Sequence, residues 1–189
     1  MASEMVASLG PFDFQPEREL GNEYAAQLVS APGEFTQTAT PAGDVRGLGL
    51  NGYKTATNLV AYGYTALFRI PANLTLATGL TFKVYLTDDG ANAVDLGKVV
   101  KIGLTIKRLA ADATDDVDVS AATEVTASAT LSSTSAGVSI TSVAIANAAL
   151  PASTAVGDLL LLRLRRIATN ASDTCPGRPI LLRVEVQNT

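Results

Sequence analysis

The amino-acid sequence predicts an all-β protein: an antiparallel, jelly-roll-like β-sandwich with an extended N-terminal arm. From residue 65 onward, short runs alternate apolar and polar residues, and turn residues separate these runs at intervals of about ten residues. No strong long helical pattern interrupts them. Alternation on nearly every run is typical of antiparallel sheets with one face in water. The most apolar runs come late in the chain, which favours Greek-key or jelly-roll connectivity over a simple meander.

The run from Gly157 to Ile167 predicts a central strand. Its four leucines cover both faces at one end, and Arg163 and Arg165 then alternate with leucine, so that one face stays apolar while the other becomes polar. A second run of the same character, residues 180–186, follows a loop that contains Pro and Gly. Nothing around this pair of runs indicates catalysis.

The other predicted strands come earlier in the chain. In residues 80–87 every second residue is apolar, and in residues 99–109 four alternating residues are expected to face inward, namely Val100, Ile102, Leu104 and Ile106. The Ala-rich connection 147–156 predicts at most a short helical turn. Together these patterns predict strands at 53–64, 65–70, 80–87, 99–109, 123–131 and 138–145.

Residues 1–50 differ from the sandwich predicted for residues 51–189. Proline and glycine interrupt them, and no period-2 pattern persists, yet they hold four of the ten aromatic residues, Phe12, Phe14, Tyr24 and Phe35. One interpretation is an extended arm that docks on another protein, since about 40 extended residues can span up to about 130 Å. The other is a segment that wraps its own domain. The arm hypothesis expects a folded domain after deletion of residues 1–40.

The composition excludes several classes of function. With no histidine, the chain has no Ser-His-Asp or Cys-His relay and no imidazole metal ligand. The net charge of −4 does not indicate a nucleic-acid-binding protein, and Cys175, the one cysteine, cannot form an internal disulfide. No signal peptide or membrane span is indicated. We therefore expect a protein made in the cytoplasm that is not an enzyme and needs no cofactor or metal.

The acidic residues are better explained by solubility and turn formation than by chemistry. The loop 112–118 carries four aspartates whose oxygens suit a hard cation, but it lacks the spacing of an EF-hand. Asp88 and Asp89 precede Gly90 in a turn pattern, and a glycosidase would need two carboxylates that converge in a cleft. We predict no site at either place.

Arginines and tyrosines supply the remaining candidates for binding. Arg163, Arg165 and Arg183 on strand faces can form bidentate pairs with a partner's carboxylates, or cross-strand pairs within the sheet, for example with Glu185. No aromatic residues are interleaved with these arginines, as binding of single-stranded nucleic acid would require. A sugar-stacking platform is the alternative, although the chain has no Trp; its tyrosines would be Tyr53, Tyr62, Tyr64 and Tyr85.

The C-terminal pattern is the part of the chain that resembles a known family. It comprises Ala155–Leu160, the Leu/Arg alternation through Arg166, Ala171–Thr174 and the closing run Leu181–Val186. This pattern resembles the last strands of small β-sandwich proteins of tailed bacteriophages, among them the cement or decoration proteins that bind the outer surface of the capsid. The pattern covers roughly the last 35 residues, and phage tail-fibre pieces can share it.

The resemblance implies a structural virion protein on the outer surface of the capsid. Such a protein is expected to bind the major capsid protein, to assemble as a homodimer or homotrimer, and to clamp neighbouring capsid subunits, with no nucleic-acid or membrane partner. The arm aromatics and the three arginines would make the contacts. The alternative is a carbohydrate-binding or adhesin-type β-sandwich, such as a piece of a phage tail fibre.

Overall fold

The protein is a β-sandwich built from eleven described strands. The computed structural model describes residues 5–9, 15–16, 35–40, 43–49, 63–88, 95–109, 122–177 and 179–189. Within these ranges there is no α-helix, and one short 3-10 helix spans Asn147–Ala149. The strands are β1 Met5–Leu9, β2 Gln15–Pro16, β3 Phe35–Thr40, β4 Gly43–Gly49, β5 Gly63–Arg69, β6 Leu80–Thr87, β7 Val99–Leu109, β8 Glu124–Thr130, β9 Ser139–Ile145, β10 Leu159–Arg166 and β11 Ile180–Asn188.

The strands form two antiparallel sheets. Sheet A has the order β3-β4-β11-β6-β9, with β1 also paired to β11, and sheet B has the order β2-β5-β10-β7-β8. The pairs β4–β11, β5–β10, β6–β9 and β7–β8 are therefore nested within one another along the chain. A long β-ribbon folded back on itself produces this order, whereas a meander does not. The antiparallel β-sandwich predicted from the sequence is confirmed.

The two late apolar runs lie at the centres of the two sheets, as predicted. Strand β10 is the middle strand of sheet B, where it pairs with β5 and β7. Strand β11 is the middle strand of sheet A, where it pairs with β6 on one side and with β4 and β1 on the other. A central strand buries side chains on at least one face along its whole length, which explains why these runs are the most apolar in the chain.

The inward-facing side chains of the strands fill the space between the two sheets. The even-numbered residues of β6 and of β7 up to Ile106 face inward and are buried, including Phe82 and the four β7 residues predicted to face inward. They meet Leu160, Leu162 and Leu164 from β10 in one continuous core. The predicted boundaries of β6 and β7 match the strands at both ends, because there the period-2 pattern and the turn residues agree.

Residues 1–50 contribute strands to the sandwich. Strand β1 pairs with β11, β2 pairs with β5, and β4 pairs with β11. Leu9 of β1 belongs to the core. These strands correspond to the second interpretation, in which the segment wraps its own domain, rather than to an arm that leaves it. Deleting residues 1–40 removes three strands and a core side chain, so an unchanged fold is no longer expected from that deletion.

Three of the four arm aromatics, Phe12, Phe14 and Tyr24, lie outside the described residues. Phe35 is the first residue of β3, and its side chain also lies outside the described part of the molecule. Their role in partner binding therefore stays a prediction. In the described ranges, no helix is both long and apolar enough to cross a bilayer.

Candidate functional site

The outer face of sheet B presents two of the three predicted partner-binding arginines. Arg163 and Arg165 alternate with the core residues of β10, so their side chains project away from the core and are half-buried. Arg165 binds Glu124 of β8 through two hydrogen bonds, from Nε at 2.5 Å and from Nη2 at 2.7 Å. A guanidinium that donates two parallel hydrogen bonds to one carboxylate is fixed in orientation, because the two planar groups match in geometry.

Glycine at position 103 makes the Arg165–Glu124 pair possible. Arg165 lies opposite Gly103 in the β10–β7 register, and β8 lies beyond β7, so the pair has to cross over this residue. A Cβ atom at Gly103 would lie 2.4 Å from Glu124 Oε1 and 2.5 Å from its Cδ. The absence of a side chain therefore leaves the space that the carboxylate occupies.

Leu67 adds an apolar side chain to the same face. It is 55% exposed and lies opposite Leu161 in the β5–β10 register, diagonally next to Arg163. Leu161 is buried but does not belong to the core cluster, since its neighbours Leu160 and Leu162 face the other way. We call the surface formed by Leu67, Arg163 and Arg165 the arginine face. Sequence reasoning missed Leu67, although its place between the inward residues of β5 indicates an apolar side chain on the polar side.

Arg183 lies on the opposite side of the molecule, on the outer face of sheet A. Its guanidinium stacks over the ring of Tyr85, with Cζ 4.3 Å from the ring centroid, and pairs with Glu185 at 2.8 Å. The Tyr85 hydroxyl donates to Glu185 Oε2 at 2.5 Å, and this hydrogen bond raises the pKa of Tyr85. The structure therefore does not bring Arg183 together with Arg163 and Arg165.

The tyrosine platform of the sugar-binding alternative is not assembled in the described part of the chain. Tyr64 lies in β5 of sheet B and Tyr85 in β6 of sheet A. One face of the Tyr85 ring is covered by Arg183 and its hydroxyl is bonded to Glu185. Tyr53 and Tyr62 lie outside the described residues. A sugar would need an open aromatic face, which Tyr85 offers on one side at most.

Arg166, the last residue of β10, forms a buried ion pair. It is 1% exposed and binds Asp173 through Nε at 2.9 Å and Nη2 at 2.7 Å. Its remaining donors reach the carbonyl oxygens of Cys175 and Gly177. The guanidinium thus fastens the loop after β10 to the end of the sandwich and is not available to a partner.

Cys175 is buried beside this ion pair. Its thiol lies 3.6 Å from Asp95 Oδ1, and Asp95 in turn accepts the backbone N–H of Gly177 at 2.8 Å. Burial raises the pKa of the Cys175 thiol to about 11 from an ordinary 9.0. Cys175 is therefore a free thiol that packs in the core.

The raised pKa of Cys175 predicts a loss of stability in alkali. The unfolded thiol releases its proton near pH 9 and the folded one near pH 11, so the thiol's contribution is complete below pH 9 and is lost as the pH rises to 11. We expect the free energy of unfolding of the wild type to fall more steeply across this window than that of Cys175→Ala. Urea unfolding at several pH values measures both slopes, and parallel slopes would contradict the prediction.

Of the acidic residues considered as candidate sites in the sequence, only Asp88 lies within the described part of the chain. Asp88 is buried and accepts the backbone N–H of Ala136 at 3.1 Å, so it joins the end of β6 to the loop between β8 and β9. Asp89 and the loop 112–118 lie outside the described residues. Within the described ranges, no three His, Cys, Asp or Glu side chains lie close enough together to hold a metal ion.

Comparison with known proteins adds no relative. No protein-family model matches the chain, and no curated protein sequence matches it either. The functional interpretation therefore depends on the geometry above and on the resemblance of the C-terminal strands.

Proposed function

We propose that this protein is a structural virion protein that binds the outer surface of a tailed-phage capsid and clamps neighbouring major capsid subunits. The observation that carries the proposal concerns strand β10. The Leu/Arg pattern on which the resemblance rests forms this central strand, and the same strand displays Arg163 and Arg165 on an outer face beside the exposed Leu67. Two arginines of the pattern that carries the resemblance thus lie on an outer face of the sandwich.

The arginine face has the composition of a protein-binding surface. Arginine is enriched at the energetic centres of protein interfaces, and an exposed leucine beside it supplies apolar area. Arg165 is held by Glu124, and Arg163 projects from a strand paired on both sides, so little side-chain and backbone freedom remains to be lost on binding. A sheet face of this kind suits the surface of a shell better than a small molecule, which is usually bound in a concave pocket.

Many modest contacts give a clamp its strength. A capsid repeats the same binding site by symmetry, and a protein that touches two neighbouring subunits gains avidity from the second contact. Because a ligand that binds only the assembled shell shifts the equilibrium toward that shell, binding stabilises the capsid by mass action. No catalytic step is required for this function.

The proposal is tested by co-sedimentation with capsid shells purified from the phage that encodes the chain. We expect the wild type to pellet with the shells and to saturate, and Leu67→Asp to bind at least about tenfold more weakly. Leu67 is more than half exposed and absent from the core, so this variant is expected to fold. Its melting temperature, measured by circular dichroism, verifies the fold.

Ser172→Asp is the matched control for this experiment. It introduces the same charge at an exposed position of the loop after β10, which is not part of the arginine face. We expect it to bind like the wild type. Wild-type protein that stays in the supernatant at all shell concentrations would overturn the capsid proposal, and equal binding of Leu67→Asp and wild type would exclude the arginine face as the contact.

A further inference from the structure

A long stretch of the chain carries no charge at all. From Val125 to Gly157 there is no Asp, Glu, Lys or Arg, although charged residues make up 17% of the sequence. This stretch includes most of β8 and all of β9. Both strands consist of small and neutral residues with some Val and Ile, and Glu124, the one charged residue of β8, is bound by Arg165. Charge depletion on this scale is a feature of the centres of protein interfaces.

Strands β8 and β9 lie side by side at one edge of the sandwich. Each is the last strand of its sheet, and among the described residues neither pairs with a further strand on its outer side. Thr141 of β9 donates its hydroxyl to the carbonyl oxygen of Ser128 in β8 at 3.1 Å, so the two edges meet. Together they form one continuous neutral side of the molecule.

Within the part of the chain that the structure describes, strand β9 lacks the usual protection of an edge. Soluble proteins guard exposed edges with lysine, proline, a β-bulge or a very short strand, because an open edge recruits other strands. Strand β9 is seven residues long, contains none of these residues, and pairs with β6 in unbroken register from Leu80↔Ile145 to Leu86↔Ser139. It is therefore straight enough and open enough to accept another strand.

Exposed apolar groups flank the edge at both ends. Val138 and Ile140, at the beginning of β9, are each 57% exposed. At the other end an open groove lies between the start of β8 and the segment after β9, lined in part by Val125, Ile145, Leu150 and Pro151. The strand alone spans about 24 Å at 3.4 Å per residue. The neutral side thus offers apolar contacts as well as backbone hydrogen bonds along this length.

We infer that β9 pairs with β9 of a second copy of this chain in an antiparallel manner across a twofold axis. A twofold interface requires a surface that is complementary to itself. An uncharged strand meets this requirement, since no like charges face each other, and it offers no charge to attract a partner of opposite sign. Sheet A then continues through the axis into sheet A of the second copy.

The spacing of side chains along β9 places the axis beside Ser142. With the axis at Ser142, the two Ser142 residues face each other. Ile140 of one copy then lies opposite Ala144 of the other, so that a large side chain meets a small one. All three of these residues are exposed and project from the outer face of sheet A. This inference does not depend on the capsid proposal and specifies a dimer rather than a trimer.

Light scattering of the full-length chain with two variants of Ser142 tests the inference. We expect wild type at micromolar concentration to have twice the chain mass of 19.5 kDa. Ser142→Lys, which places two positive charges at the axis, is expected to be monomeric with an unchanged circular dichroism spectrum. Ser142→Cys is expected to form an intermolecular disulfide under mild oxidation, which the buried Cys175 does not.

Ser172→Lys and Ser172→Cys are the matched controls, at an exposed loop position outside the neutral side. We expect the first to remain dimeric and the second not to cross-link. A wild type that is monomeric or trimeric would overturn the inference. So would a dimer that persists in Ser142→Lys, or a Ser142→Cys dimer that fails to cross-link.

Discussion

Asp173→Ala is expected to lower the free energy of unfolding by about 3–5 kcal/mol. The substitution leaves the Arg166 guanidinium, which is 1% exposed, without its carboxylate. Burial lowers the pKa of Arg166 and its bonds to Asp173 raise it, with a net rise. The guanidinium keeps its charge when this partner is lost, because the ordinary pKa of arginine lies far above neutral pH. The loop carbonyls of Cys175 and Gly177 compensate only in part, because they carry no formal charge. Urea unfolding followed by circular dichroism measures the change.

Two further variants show whether the loss of stability in Asp173→Ala comes from the burial of the unpaired charge. Glu124→Gln weakens the bidentate pair with Arg165, whose side chain is 26% exposed, and is expected to cost less than about 1 kcal/mol. The double variant Arg166→Met with Asp173→Leu removes both charges and is expected to be more stable than Asp173→Ala alone. A single variant Asp173→Ala that unfolds at the same urea concentration as the wild type would contradict this view of the ion pair.

Gly79→Ala is expected to cost about 4 kcal/mol or more, an effect that few single substitutions reach. Gly79 has a φ of +98°, which side-chain-bearing residues rarely adopt. A Cβ atom there would also lie 2.2 Å from the carbonyl oxygen of Ile145 and 2.8 Å from the nitrogen of Asn147. Both are backbone atoms, so relief requires the end of β9 to move away from the start of β6. Thermal or urea unfolding measures the loss.

Gly157→Ala is the matched control for Gly79→Ala. Gly157 has a φ of +91°, close to that of Gly79, but an added Cβ would meet nothing within 4 Å. This variant carries the backbone strain alone, about 1–2 kcal/mol. Equal losses in the two variants would show that the clash with the end of β9 does not matter.

The sandwich was predictable from residue 65 onward because its signals are local. Strands β6, β7 and β8 alternate apolar and polar residues, β10 and β11 alternate after an apolar start, and turn residues separate the strands. This pattern needs no knowledge of distant partners. The burial of Arg166 could also have been predicted, since alternation places it on the same inward face of β10 as Leu160, Leu162 and Leu164. Its partner Asp173 was not, because it lies in a loop that has no periodic pattern.

The strands of residues 1–50 could not be predicted in the same way. Strand β4 contains three glycines, and β2 is only two residues long, so neither shows a period. Strand β2 has its backbone partner β5 more than 45 residues away in sequence, and β4 pairs with the neighbouring β3 as well as with the distant β11. The arginine face has the same origin: alternation predicted that Arg163 and Arg165 point outward, but only the sheet order places Glu124 and Leu67 beside them.

Imaging of capsid shells by electron cryomicroscopy, with and without added purified protein, tests the central claim most directly. The shells come from the phage that, under the proposed function, encodes the chain. The proposed function predicts additional density on the outer surface, above the boundaries between neighbouring capsid subunits, into which the sandwich fits with its arginine face toward the shell. Identical maps with and without the protein would contradict the claim that this chain is a capsid-binding protein.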